Sequence, residues 1–384
     1  MSNVNPEILF RNRVSELSFL TPYLSFKGTL NDRGSACQDP GHVKQAGFGG
    51  LKWEPPSKGG GSRPMIARNE EEMKMKRVLT SLLLVTLLIT STLSMVTVSV
   101  AVTEDDIDEA IDNGVAWLAA KQNPDGSWGY WYPVGQTGLA VLKLEEHAVD
   151  GKYGYGLPSP FDPAYPYREH VEKGLNYIFS KASVIDISVQ PAGDPDTNGN
   201  GKGVYFGSWD LTYQTSIAMM AIAASRAPER VVNVPGSAVD GWTYENVLQD
   251  AVDYMAFGQT DNDAGVYRGG WSYEANESDS DQSNAGWATF GFEFAESPAY
   301  RFMCTVPAFV KTEMNIWIDY IQNDVNGDTN DGGAGYTGPD DWVNILKAGH
   351  LLYQMAFVGD NAATPRVQDA VAYIVRHWND ANVD

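Results

Sequence analysis

Cysteine is almost missing from this chain: Cys37 and Cys304 are the whole supply in 384 residues, so no disulfide framework can be read from it. Basic residues are scarce too, and unevenly placed. Residues 1–101 carry 12 Lys and Arg against 8 Asp and Glu, whereas residues 102–384 carry 15 against 41, a balance of +4 and then −26. A body this acidic excludes nucleic acid and anionic membrane surfaces as partners, because basic patches supply most of the affinity for both. It suits an extracellular or salty setting, or cation binding.

Long apolar runs are also lacking, with one exception. In residues 73–101, Lys74, Lys76 and Arg77 precede an apolar core at 78–89, and Ser99-Val100-Ala101 places small residues at the −3 and −1 positions of a cleavage site. This is the pattern of an export signal. The alternative is an uncleaved membrane anchor, the only membrane contact the sequence predicts, since the stretch is nearly long enough to span a bilayer of about 30 Å. Residues 1–72 show no sustained period and carry a Pro pair at 55–56 and three glycines at 59–61. Signals begin chains, so this irregular extension implies translation from Met73 or Met75, or else a disordered cytoplasmic segment ahead of an anchor. The remainder, 102–384, is expected to be secreted or held in the cell envelope.

What that remainder has is a repeat. In residues 109–147, Ile111, Val115, Leu118 and Ala119 form an apolar stripe at helical spacing. Asn123-Pro124-Asp125-Gly126 then breaks the helix, and a second apolar helix is predicted from about Gln136 to Glu146. Such a helical hairpin cannot bury its faces alone and needs neighbours. The later chain supplies them. Aromatic-aliphatic pairs recur near the ends of the outer helices at Trp117-Leu118, Tyr177-Ile178, Tyr254-Met255, Tyr320-Ile321 and Tyr373-Ile374, the first four followed by a glycine-bearing turn with an aromatic. Gly207-Ser208-Trp209 reads as the counterpart of Gly126-Ser127-Trp128, and Gly269-Gly270-Trp271 as a third copy.

The stretch AWLAAKQNPDGSW resembles the QW motif of the squalene-hopene cyclase, oxidosqualene cyclase and protein prenyltransferase β-subunit superfamily, and GGWSY with SDQSNAGWATFGF resembles its later repeats. The resemblance covers residues 104–384. It rests most on Gln122, Gly126 and Trp128, then on Gln259, Gly270 and Trp271, with Gly207 and Trp209 in the remaining copy. It implies an all-α fold, an α/α toroid of helical hairpins. The glutamine would satisfy helix-end carbonyls, the glycine would let the chain reverse, and the tryptophan would fill the gap between hairpins. About four hairpins and one further helix are present, so the ring is expected to be incomplete: a fragment of a longer frame, an open ring, or one closed by another chain.

The catalytic signatures of that superfamily are absent. Triterpene cyclisation uses Asp-x-Asp-Asp, in which neighbouring carboxyls keep one acid protonated. Here the nearest stretches, at 194–197, 261–264 and 279–282, each lack the last carboxylate. The prenyltransferase zinc site needs Asp, Cys and His; Cys304 stands without its aspartate and reads as a core cysteine. Whether the protein is an enzyme is left open. The weak catalytic candidates are Asp210, Asp281, Asp340, Asp341 and His350, at or near predicted inner-helix starts, where acids also serve as N-caps. Together with neighbouring aromatics they predict a cavity for a small-molecule, glycan or protein ligand. Asp194, Asp196, Asn198 and Asn200, and again Asp324, Asn326, Asp328 and Asn330, alternate as in the first half of a calcium loop. Tyr205 and Gly335 stand where the closing Glu belongs, so these are either differently closed calcium sites or plain Asn/Asp/Gly turns. A second function class therefore accompanies the ligand-binding one: an enzyme of this superfamily, or an extracellular polysaccharide lyase on the same toroid.

Overall fold

A computed structural model describes residues 102–380. The extension, the export signal and the last four residues lie outside the described residues. The described chain is mostly helical: α1 Glu104–Ala120, α2 Pro133–Val149, α3 Arg168–Ser180, α4 Leu211–Ala224, α5 Tyr244–Phe257, α6 Gln282–Glu296, α7 Ala308–Ile321, α8 Ile345–Val358 and α9 Pro365–His377. The even-numbered helices pack on one another in chain order, α2 on α4, α4 on α6 and α6 on α8, and α3, α5, α7 and α9 pack against them. The core follows from this layering. Apart from Leu211 and Tyr213, every residue of α4 is buried, as its run of Ile, Ala and Met requires of a helix apolar on all sides. Small residues set the spacing. A Cβ on Gly138 would press on Ile217, and one on Gly291 on Ser216, so the inner helices meet with little between them.

Among the described residues one sheet occurs, in the insertion after α3. Strands β1 Ala182–Asp186 and β2 Lys202–Phe206 pair antiparallel, Ala182 opposite Phe206 and Asp186 opposite Lys202. Their β-branched and aromatic content fits a pleated, half-buried surface, and β2 packs on α5.

Three glutamines perform the same task. Gln122 Nε2 donates to the carbonyls of Gly126 and His170, both at 2.9 Å. Gln259 Nε2 donates to Gly269 at 2.9 Å and Val310 at 3.1 Å, and Gln322 Nε2 to Gly332 at 3.2 Å and Arg366 at 2.9 Å. Each amide thus ties its own turn to the first turn of the next outer helix. The orphan carbonyls of its own helix end, expected to be its partners, are not the acceptors. The glycines match: Gly126, Gly269 and Gly332 have φ of 92°, 87° and 84°. A Cβ on any of them would overlap a carbonyl oxygen of the next outer helix, that of Lys173, Glu313 or Asp369.

Two motif assignments shift. Gly269, not Gly270, carries the left-handed turn of the third copy. In the second copy Phe206, not Trp209, stands where Trp128 does. Phe206 N donates to Thr215 Oγ1 at 3.1 Å as Trp128 N donates to Thr137 Oγ1 at 2.9 Å, and Gly207 crowds Gln214 as Gly129 crowds Gln136. The Gly-Ser-Trp likeness is out of step with the backbone by three residues, and Trp209 is left 48% exposed.

Gly236 gives a control for the clamp glycines, since it has φ 88° and open space around it. Gly236→Ala should cost only the left-handed penalty of about 1–2 kcal/mol. Gly269→Ala adds overlap with a helix backbone and should cost roughly twice that or more. Urea unfolding of both variants checks this, and equal losses would remove the close approach as the reason for the glycine.

Candidate functional site

The turns that the clamps hold carry a second recurring residue. Tyr130, Tyr273 and Tyr336 each lie two positions beyond the buried Trp128, Trp271 and Ala334. All three are more exposed than those buried positions, Tyr130 most of all. They meet the N-terminal ends of the inner helices and form a run of rings. Tyr130 is edge-on to Trp131 at 5.5 Å between ring centres, and Tyr132 edge-on to Trp209 at 6.4 Å. Tyr213 stacks on Tyr273 at 5.9 Å and touches Trp287 at 6.0 Å. The Tyr273 and Tyr336 hydroxyls lie 3.3 Å apart, and Tyr336 packs on Trp342 at 5.7 Å. Much of this face is open: Tyr130 is 82%, Trp131 74%, Trp342 57% and Tyr273 39% exposed.

Polar groups are set among the rings. Asp281 is the N-cap of α6. Its carboxylate accepts from the backbone N–H of Ser283 and Asn284, both at 2.8 Å, and from Asn284 Nδ2 at 2.7 Å. Burial nevertheless holds its pKa above the usual carboxylate range, with those hydrogen bonds opposing. Ser283 Oγ lies 3.3 Å from the Tyr336 hydroxyl. Lys347 is buried, its Nζ 3.9 Å from the centre of the Trp342 ring, and desolvation pushes its pKa down to about 8. Deeper in, His350 is pushed down to about 4 by burial, so it is neutral at pH 7. Its ring meets Phe290 edge-on.

The structure separates the sequence candidates. Asp281 acts as a cap, whereas Asp210, at the N-cap position of α4, has φ 49° and makes no cap bond; its carboxylate pairs with the Tyr132 hydroxyl. Asp340 and Asp341 do not begin α8. They lie in the exposed loop before it, bonded to Asn323 Nδ2 and Thr337 Oγ1, and Asn344 is the cap. Tyr132, Tyr273, Tyr336 and Lys347 were missed. For the last two tyrosines the signal was present, as the residue two beyond each turn's buried position.

In both Asp/Asn loops the side chains take part in hydrogen bonds. Asp196 accepts from the backbone N–H of Gly199, Asn200 and Gly201, and Asp194 from that of Asp196. Asn198 and Asn200 turn their amide nitrogens toward Asp250. Thr197 donates to Asp253, whose pKa burial pushes up to about 7. The loop is therefore closed onto α5 by hydrogen bonds. In the second loop Asp324, Asn326 and Asp328 are exposed; Asp328 accepts from Asn330 N and Thr329 Oγ1. Among the described residues, no three His, Cys, Asp or Glu side chains are placed to share a metal ion. Cys304 is buried and unpaired, as a core cysteine.

Toward the other end of the inner helices, Glu145 is fully buried with both carboxylate oxygens lacking a hydrogen-bond partner, as is Arg226 Nε. Comparison with family models, with curated proteins and with solved structures finds no match.

Burial, then the neighbouring Glu146, raise the Glu145 pKa well above its ordinary value, against a smaller opposing effect of Arg226. A raised folded-state pKa means stability that is complete below the unfolded value of about 4.3 and is lost as pH rises through the folded one. Glu145→Gln should therefore match the native chain at pH 4 and melt higher at pH 8. A variant that melts lower at pH 8 would mean that Glu145 is ionised and held by Arg226.

Proposed function

We propose that this chain is an exported repeat protein of the α/α-toroid type, similar to the cyclase and prenyltransferase superfamily, that binds a ligand across its aromatic face. The toroid reading is supported by the chain-order packing of α2, α4, α6 and α8 and by the three glutamine clamps. Export rests on residues 73–101 and on the acidic body; among the described residues no helix is long and apolar enough to cross a membrane. The observation that carries ligand binding is the set of three ring groups, Tyr130 with Trp131, Tyr132 with Trp209, and Tyr213, Tyr273, Tyr336 and Trp342, at the starts of the inner helices. Folding alone does not call for large rings left this open in one place.

Catalysis is the second reading, whether of the superfamily kind or as a polysaccharide lyase. Asp281 favours it, being biased toward its protonated form with Ser283 bonded to it and the Tyr213 and Tyr336 hydroxyls near. Proton transfer to a bound ligand is the chemistry such a group supplies.

Replacing exposed rings should leave the fold nearly untouched, within about 0.5 kcal/mol each. A bound ligand at a hundred times its Kd adds about 2.7 kcal/mol. Screening small molecules, glycans and proteins by thermal shift should therefore find a ligand that raises the Tm of the native chain but not of Trp209→Ala/Trp342→Ala. Equal stabilisation of both chains by every ligand found would rule out this face.

A further inference from the structure

We propose that the ligand of the aromatic face is a neutral glycan chain, its sugar rings laid on Trp131, Trp209 and Trp342. The proposal rests on the reading that this face is the ligand site, and names what that site takes.

Three features of the face select this chemistry. Its exposed large apolar groups are all aromatic, Tyr130, Trp131, Trp209, Tyr273 and Trp342, while the exposed valines belong to other segments. A protein partner's interface draws on aliphatic and arginine anchors as well. A pyranose ring instead presents a flat patch of C–H groups to an aromatic face and hydroxyls around its edge. Second, hydrogen-bonding groups flank the rings: Asp210 beside Tyr132 and Trp209, Ser283 beside Tyr336, and the Tyr273 and Tyr336 hydroxyls. Carboxylates accept from sugar hydroxyls, and tyrosine and serine hydroxyls both give and accept. Beneath Tyr213, Trp287 Nε1 and Asn284 Oδ1 are buried without partners, a donor and an acceptor one helical turn apart. A sugar hydroxyl can both give and accept, the two roles these groups leave open. Third, charge discriminates among glycans. Asp210, Glu274, Glu277 and Asp341 surround the face, and Lys347, a buried cation, lies against Trp342. A uronic-acid or sulfated polymer would be repelled, whereas a neutral chain is not. An isoprenoid needs most of its surface enclosed, and rings this exposed do not enclose one.

The full chain is titrated calorimetrically with cellohexaose, xylohexaose, mannohexaose and maltohexaose, with hexagalacturonate, with farnesol and with a Lys-rich peptide. Binding of at least one neutral oligosaccharide is expected, weakened tenfold or more by Trp342→Ala and by Trp209→Ala. Trp287→Phe, which deletes the N–H and one ring of the indole, should lower Tm through the lost buried volume and, titrated well below that Tm, weaken binding severalfold. Binding of hexagalacturonate alone, or of none of the probes, overturns the proposal. Farnesol or peptide binding that is lost in Trp342→Ala also overturns it, while leaving the face as a ligand site. Oligosaccharide binding unaffected by both tryptophan variants overturns the site and the ligand together.

Discussion

A primary amide with two N–H groups holds this structure in step. In Gln122, Gln259 and Gln322 one side-chain nitrogen donates twice, once to the turn that follows its own helix and once to the first turn of the next outer helix. The second acceptor already takes an N–H within its helix, so the clamp uses the remaining lone pair of a carbonyl. For Gln259 the geometry is exacting, since its Oε1 is buried without a partner. Turn, helix and neighbouring helix are thereby fixed as one unit, and the spacing of hairpins is set by a bond rather than by packing alone. The close glycine beside each clamp follows, because a bond this short between layers leaves no room for a side chain.

The second hairpin shows what replaces the clamp. After α3 the position belongs to Ala182, the first residue of β1, and the carbonyl of Lys181 beside it accepts from Gly207 N. The ladder then does the registering: it delivers Phe206 to the place of Trp128, and it lays the loop at residues 194–201 over α5. There Asp250 and Asp253 are buried, and the loop's Thr197, Asn198 and Asn200 provide their hydrogen-bond donors. The alternating Asp and Asn residues are thus half of a polar seam whose other half is on a helix some fifty residues away. Alternation alone cannot distinguish that from a cation loop, since both need oxygen-rich side chains on a glycine-bearing turn.

Helices and their order were legible in the sequence because stripes such as Ile111, Val115, Leu118 and Ala119 report burial directly, and Pro124 and Gly126 mark a break that backbone sterics enforce. The roles of Gln122 and Gln259 were legible as a pattern but not as bonds, since their acceptors, His170 and Val310, lie 48 and 51 residues on. The second copy was misread because identical letters outweighed an unseen hairpin. Gly207-Ser208-Trp209 matches 126–128 in type, yet the ladder moves the buried position to Phe206. Asp340 and Asp341 were placed at a helix start for a similar reason, a paired acid before an apolar run. Asn344, four residues later, makes the cap bond instead.

The abundance of tryptophan resolves into two populations with different physical demands. Trp128, Trp271 and Trp317 are buried, and each indole N–H has an acceptor, Leu118 O, Met255 O and Gln282 Oε1. These are structural by the test that a buried donor must be satisfied. Trp131, Trp209 and Trp342 leave large faces in water, where they add nothing to the core. Between the two stands Trp287, buried beneath Tyr213 with its N–H unsatisfied. A fold that finds acceptors for three indoles leaves this one without an acceptor, beneath a tyrosine that stacks on the exposed Tyr273. A buried donor left unpaired costs about 1–3 kcal/mol, which is why it weighs, with the exposed rings, in favour of the proposal that a group from outside accepts the bond.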